Sequence, residues 1–306
     1  MSLVYIVAGL LGLLFGGEAL VRGAVAIAAR LRISPLVIGV TLVGFGTSTP
    51  ELLTSLQAAW IGAPGIAVGN VVGSNIANIL LILGAAAALS PITIGPRAFR
   101  RDGTALMLGT ALGMGLLAMG LIGAAGGALL LTALLIYLAT VLRSGDSAVE
   151  APEVGQMAPL LALAYALGGL VVTIIGARLL VLGAVDVAAG LGVSEAVIGL
   201  TIVAVGTSLP ELVTSVIAAR RGQSDLAFGN VLGSNLFNLL GILGITALVH
   251  PLEVPGEILS FDIWVMGGAT LALGLVAVTG WRITRGEGAL LLAGYAAYLA
   301  ALVAMS

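Results

Sequence analysis

Two short segments carry most of the chemistry available to this sequence. One reads GTSTPELLTS from Gly46 to Ser55, the other GTSLPELVTS from Gly206 to Ser215. Each sets one carboxylate, Glu51 or Glu211, among hydroxyls: Thr47, Ser48, Thr54 and Ser55 in the first, Thr207, Ser208, Thr214 and Ser215 in the second. A second pair of segments, GNVVGSNIAN from Gly69 and GNVLGSNLFN from Gly229, adds Asn70, Ser74, Asn75 and Asn78 against Asn230, Ser234, Asn235 and Asn238. Carboxylates, hydroxyls and amides form an all-oxygen donor set, the kind that hard cations such as Ca²⁺ and Na⁺ take. The chain has no Cys and a single His, His250. Thiol chemistry is excluded, and soft or borderline metals are poorly served.

Pro50 and Pro210 stand immediately before the acids. Proline lacks a backbone donor and clashes with the preceding turn, so a helix through either motif should break or kink there. A break frees backbone carbonyls, with Gly44 and Thr47 as candidates in the first motif. Free carbonyls at membrane depth are tolerated only where they are buried or line a wet cavity. Ser74 and Asn78 are four residues apart and share a helix face, as do Ser234 and Asn238. Gly69 and Gly73, and again Gly229 and Gly233, form GxxxG spacings that let a helix press against a neighbour. Four helices can therefore converge on one cluster of oxygens. Asn70, Asn75, Asn230 and Asn235 read instead as interhelical hydrogen-bond glue.

The surrounding sequence says where these motifs sit. Of 306 residues, 60% are hydrophobic and 8% charged, against roughly 25% charged in a soluble domain. Continuous apolar runs of about 18 residues or more predict membrane helices, not the alternating strands of a β-barrel. We place ten spans, at 3–30, 34–60, 65–89, 103–122, 126–143, 157–189, 195–219, 226–249, 260–280 and 286–304. The N-terminus has no positively charged region or cleavage site ahead of its apolar stretch and reads as the first span, not a removed signal. All twelve cations are Arg. No basic tract with interleaved aromatics exists, so nucleic-acid binding has no support. Numbering the connections in order, 1, 3, 5, 7 and 9 hold Arg30 and Arg32; Arg97, Arg100 and Arg101; Arg143; Arg220 and Arg221; and Arg282 and Arg285. The even connections and both termini hold none. The positive-inside rule puts the odd connections in the cytoplasm and both termini outside.

The motifs repeat at an offset of 160 residues. Leu36–Gly84 and Ala196–Gly244 share 28 identities over 49 positions, where composition alone would give on the order of 5. The chain divides into a first repeat, 1–143, a cytoplasmic linker, 144–156, and a second repeat, 157–306, with five spans in each repeat. Five is odd, so the second repeat enters the membrane from the opposite side. Inverted repeats place substrate near the midplane where they meet and let each open to one side. A carboxylate at that depth must be paired or neutralised, and no Arg lies near Glu51 or Glu211 in sequence. The missing counter-charge is then the cargo: one Ca²⁺, two Na⁺ or two protons. The other charged residues have plainer readings. Glu18 and Arg22 pair locally. Arg178 and Asp186 line an aqueous approach or snorkel. Asp225 marks a helix start. Glu253, Glu257 and Asp262 belong to a solvated outer loop, and His250 is interfacial.

With those motifs in view, the chain resembles the calcium/cation antiporter superfamily, and within it the prokaryotic sodium/calcium exchangers. The resemblance implies an all-α membrane protein that exchanges Ca²⁺ for Na⁺ by alternating access across the inner (plasma) membrane. No enzyme activity and no cofactor are expected, only the ions as substrates, and the protein is expected to work as a monomer in the bilayer. It implies metal ligation by Glu51, Glu211, Thr47, Ser48, Thr207, Ser208, Ser74, Asn78, Ser234 and Asn238, with the carbonyls of Gly44 and Ala204. It also implies first and sixth helices that slide across the other eight. Some members carry an acid where this chain has Asn238, including potassium-dependent exchangers, so Asn238 argues against K⁺ co-transport. An H⁺/Ca²⁺ antiporter using the same Glu pair is the alternative. A channel differs in needing no counter-ion, and an intramembrane hydrolase lacks any HExxH or GxSxG motif.

Overall fold

A computed structural model describes residues 2–143, 157–190 and 204–305. In chain order its helices are α1 (Ser2–Leu31), α2 (Pro35–Thr47), α3 (Thr49–Trp60), α4 (Pro64–Leu89), α5 (Pro96–Leu117), α6 (Ala124–Arg143), α7 (Pro159–Gly190), α8 (Ala204–Thr207), α9 (Leu209–Arg220), α10 (Ser224–Val249), α11 (Ile258–Val278) and α12 (Arg285–Met305). Proline opens α2, α4, α5 and α7, the position where its fixed φ suits a helix and its missing N–H costs nothing. The turns after α3 and α9 pass through Gly62 (φ 79°) and Gly222 (φ 73°), left-handed backbone that glycine adopts without strain.

Among the described residues, seven helices are long and apolar enough to cross a membrane, or eight if the bent pair α2–α3 is one span. Ten were expected, and two local causes explain the difference. The helix covering the expected span 103–122 is α5, which begins earlier and carries Arg97, Arg100, Arg101 and Asp102 in its first two turns. The linker 144–156 and the first part of the expected span 195–219 lie outside the described residues.

The helices form a buried centre with a looser periphery. In their most apolar stretches α4 and α10 are 78% and 83% buried, against 17–33% for α1, α6, α7, α11 and α12. Val68, Val71, Val72 and Ile76 of α4 and Phe228, Val231 and Leu232 of α10 make up much of the core. Fully buried Asp102 accepts from Arg101 (2.7 and 2.8 Å) and from the Tyr137 hydroxyl (3.1 Å), which ties α5 to α6. Asp262 is not in a solvated loop. It begins the main run of α11 and accepts the hydroxyl of Tyr298, on α12, at 2.8 Å, with the rings of Tyr298 and Phe261 stacked 6.0 Å apart.

Two short antiparallel ribbons join the halves of the chain. β1 (Ile92–Thr93) pairs with β4 (Arg282–Ile283), and β2 (Leu121–Ile122) with β3 (Leu252–Glu253). β1 and β2 flank α5, whose 22 residues span about 33 Å, so the ribbons lie at opposite ends of that helix.

α1 and α7 touch backbone to backbone. A Cβ at Gly23 would lie 2.3 Å from Ala166 N, one at Gly16 2.6 Å from Thr173 N, and one at Gly169 2.3 Å from Leu20 N. Only residues without a side chain permit this approach, which van der Waals packing rewards in lipid.

Candidate ion-binding site

The proline breaks occur where the sequence places them. α2 and α3 bend by 42° at Ser48 (φ −81°, ψ 9°), and Ser208 (φ −91°, ψ 9°) repeats the break before α9. Each break starts a new helix, and the acid falls in its first turn. There the unpaired N–H groups and the positive end of the helix dipole favour a carboxylate. Glu51 and Glu211 are both 1% exposed.

The two motifs meet by exchange. The Ser48 hydroxyl donates to Glu211 Oε1 at 3.0 Å, and the Ser208 hydroxyl donates to Glu51 Oε1 at 3.3 Å. Each acid is thus held by the helix break of the other half. The second oxygens, Glu51 Oε2 and Glu211 Oε2, are buried without a hydrogen-bond partner, and so are Asn78 Oδ1 and both polar side-chain atoms of Asn238. Buried polar atoms nearly always find partners. These four unpartnered oxygens come from four helices, two of them are carboxylate, and their chemistry suits a hard cation; Asn75 Oδ1, Asn235 Oδ1, Thr214 Oγ1 and Thr246 Oγ1 are buried without a partner as well. Among the described residues no group of three or more His, Cys, Asp or Glu gathers, so the remaining donors are neutral oxygens.

π-turns fall beside these positions. One runs from Asn78 to Leu83 in α4, and another from Phe237 to Ile242 in α10, enclosing Asn238. A third, Gly39–Val43, precedes Gly44. An added residue in a turn re-aims side chains, and such turns recur at functional sites.

The Gly44 carbonyl is not freed by the break. It accepts the Ser48 N–H and the Ser234 hydroxyl, both at 3.2 Å. It faces the site because α2 presses on α10. A Cβ at Gly44 would stand 3.0 Å from Ser234 N, one at Gly233 2.3 Å from Val40 O, and one at Gly229 2.6 Å from Leu36 O. The GxxxG expectation therefore holds for Gly229 and Gly233. A Cβ at Gly73 would meet nothing described within 4 Å; the residue matching Val40 is Leu200, outside the described residues. Thr47 Oγ1 lies 3.0 Å from the Val43 carbonyl and 3.3 Å from Asn230 Oδ1. In the second half, Ala204 and Thr207 begin and end the single turn α8, and the Ser208 N–H reaches the Val205 carbonyl at 3.2 Å. Ser74 is buried in the same face of α4 as Asn78.

Asn70 and Asn230 are glue, as expected, with an added task. Asn70 Nδ2 donates to Ser55 Oγ (2.9 Å) and the Glu51 carbonyl (3.1 Å). Asn230 Nδ2 repeats this on Ser215 (2.8 Å) and Glu211 (3.3 Å). Each pins the helix carrying an acid to the helix carrying its amide partner. Asn75 and Asn235, expected to bond between helices in the same way, instead donate one turn back within their own helices, to the Val71 (2.8 Å) and Val231 (2.7 Å) carbonyls. Sequence reasoning missed the stacked rings of Phe45 and Phe237, 4.5 Å apart, which adjoin Gly44 and Asn238. The signal was available: the positions 160 residues away hold the smaller Val205 and Ala77.

Fold and site together define a multi-pass membrane protein with two buried carboxylates set among hydroxyl and amide groups at its centre. The chain belongs to the sodium/calcium exchanger family. The family profile, described as sodium/calcium exchanger protein, matches residues 1–143 and 161–304. The chain is 39% identical to the putative antiporter CaxA of Alkalimonas amylolytica, over 96% of both chains. It is 36% identical to sodium/calcium exchanger MaX1 of Methanosarcina acetivorans, over 96% of this chain and 97% of that one. Its fold is similar to that of the sodium-calcium exchanger NCX_Mj soaked with 10 mM Na⁺ and zero Ca²⁺, with a TM-score of 0.88, 34% identity and 98% of both chains covered.

Proposed function

We propose that this cation antiporter exchanges Ca²⁺ for Na⁺ by alternating access, with Glu51 and Glu211 carrying the cargo between them. In this reading ten spans form two inverted five-helix repeats with both termini outside. Ligation is by Ser48, Ser208, Thr47, Thr207, Ser74, Asn78, Ser234 and Asn238, with the Gly44 and Ala204 carbonyls. The observation that carries it is the exchange of Ser–Glu hydrogen bonds between the halves, with one oxygen of each acid left over. Two carboxylates balance one Ca²⁺ or two Na⁺, and a doubly charged site without cargo is costly to move through lipid. Competition for one pair of acids then couples the two fluxes without any covalent step. The Arg distribution supports the sidedness, and so do the ribbons, which pair connection 3 with 9 and connection 4 with 8.

The test is radioactive Ca²⁺ uptake into proteoliposomes with Na⁺, K⁺ or H⁺ as the trapped exchangeable ion. Uptake driven by trapped Na⁺ alone is expected. Uptake that follows only the pH gradient transfers the reading to H⁺/Ca²⁺ exchange, and uptake with no exchangeable ion inside makes the protein a channel.

A further inference from the structure

Glu18, on α1, is reached from two directions. Arg22, one turn along the same helix, donates to it at 2.8 Å. Arg221, from the turn between α9 and α10, donates to both of its oxygens. The first contact is internal to α1. The second ties α1 to the segment that carries Glu211 and Asn230. Beside it, Val21, Arg22, Val25, Met157, Arg221 and Gln223 line a cleft between the two.

The setting gives this bridge a consequence. The glycine seam makes α1 and α7 one body. Against α9 that body offers a softer surface, where Gly17 faces the side chains of Val213 and Ile217. Apolar side chains over a glycine can slide; an ion pair fixes one register. Arg221 belongs to connection 7, on the Arg-rich side. The offset of 160 puts Arg178 at the position of Glu18 and Ile61 at that of Arg221, so the same pair cannot form at the opposite face.

We propose that Glu18 is a positioning residue for the access change: its bridge to Arg221 holds the α1–α7 body against the α9–α10 turn, and parts when the Arg-rich side opens. The proposal rests on the alternating-access reading. An exposed or half-exposed ion pair supplies a modest bias, about two- to five-fold in the equilibrium between the two access states.

The absence of native cysteine makes the test direct. Val25→Cys, in the cleft, reports opening through its rate of reaction with a membrane-impermeant maleimide added on the Arg-rich side of reconstituted vesicles. Glu18→Gln and Arg221→Gln, each in the Val25→Cys background, are expected to accelerate labelling about two- to five-fold. The double variant is expected to go no faster than either single, because both remove one contact. Arg22→Gln and Glu18→Asp should keep the parent rate. Unchanged labelling in Glu18→Gln and Arg221→Gln overturns the proposal, and so does equal acceleration by Arg22→Gln, which would mark a general charge effect. Na⁺-driven Ca²⁺ uptake in the same vesicles separates the two readings. Uptake with unchanged labelling removes the latch alone, whereas no uptake by the Val25→Cys parent, with wild-type vesicles equally inactive, removes the transport reading.

Discussion

Ser48 donates its hydroxyl hydrogen to Glu211, 163 residues away, across 3.0 Å. The motif that supplies the break and the motif that supplies the acid are the same ten residues, yet each break serves the other copy's acid. A shift of one half against the other therefore changes the surroundings of both carboxylates at once.

The carboxylates should dominate binding. Two unit charges about 4 Å apart at an effective dielectric of about 20 interact by about 4 kcal/mol, or roughly three orders of magnitude in affinity. Glu51→Gln and Glu211→Gln, which keep shape and lose charge, should each reduce Ca²⁺ uptake to background in proteoliposomes. Retained uptake by either variant would remove the acid pair from the site.

Cargo should stabilise the fold through those same groups. A ligand at one hundred times its dissociation constant adds about 2.7 kcal/mol to the state that binds it, which for a chain of this size is a rise in Tm of about 4 °C. Differential scanning fluorimetry in detergent should show that rise for the wild type with added Ca²⁺, and none for Glu51→Gln.

Asparagines of the two kinds should separate in their effects. Asn230→Leu strands the Ser215 hydroxyl and the Glu211 carbonyl, and a buried group left unpaired costs about 1–3 kcal/mol, so its Tm should fall. Asn238→Leu removes amide atoms that have no partner, so its ion-free Tm should hold or rise while Ca²⁺ uptake is lost. Equal thermal penalties for the two would contradict the division into scaffold and ligand.

The glycine seam makes a contrast within a few residues. Gly23→Ala drives a methyl to 2.3 Å from Ala166 N, whereas a methyl at Gly168 meets nothing within 4 Å. Gly23→Ala should part α1 from α7 and lower both Tm and exchange rate. Gly168→Ala should add about 0.5–1 kcal/mol of helix stability and leave exchange intact.

Much of this was legible along the chain. The helix breaks follow from proline's missing donor, and the burial of Glu51 and Glu211 from the apolar stretches around them. The duplication is visible as identity at a constant offset, and the donor types are side-chain chemistry. These are local properties or self-comparisons, and they survive without knowing which helix touches which.

Contacts between distant helices were not legible, because they depend on crossing and register. Glu18 and Arg22 read as a local pair, and the third member, Arg221, is 203 residues away. Asp262 read as a loop residue until Tyr298 met it from α12. The Gly44 carbonyl, read as freed, is taken up by Ser234 because α2 and α10 press together at glycines. The amino-acid order by itself determined the two acids, their oxygen-rich neighbours and the breaks that bury them in an apolar chain. Only the tertiary structure decided that each acid is held by the opposite half and keeps one oxygen unpartnered, since a hydrogen bond of about 3 Å depends on where two separately folded helices come to rest.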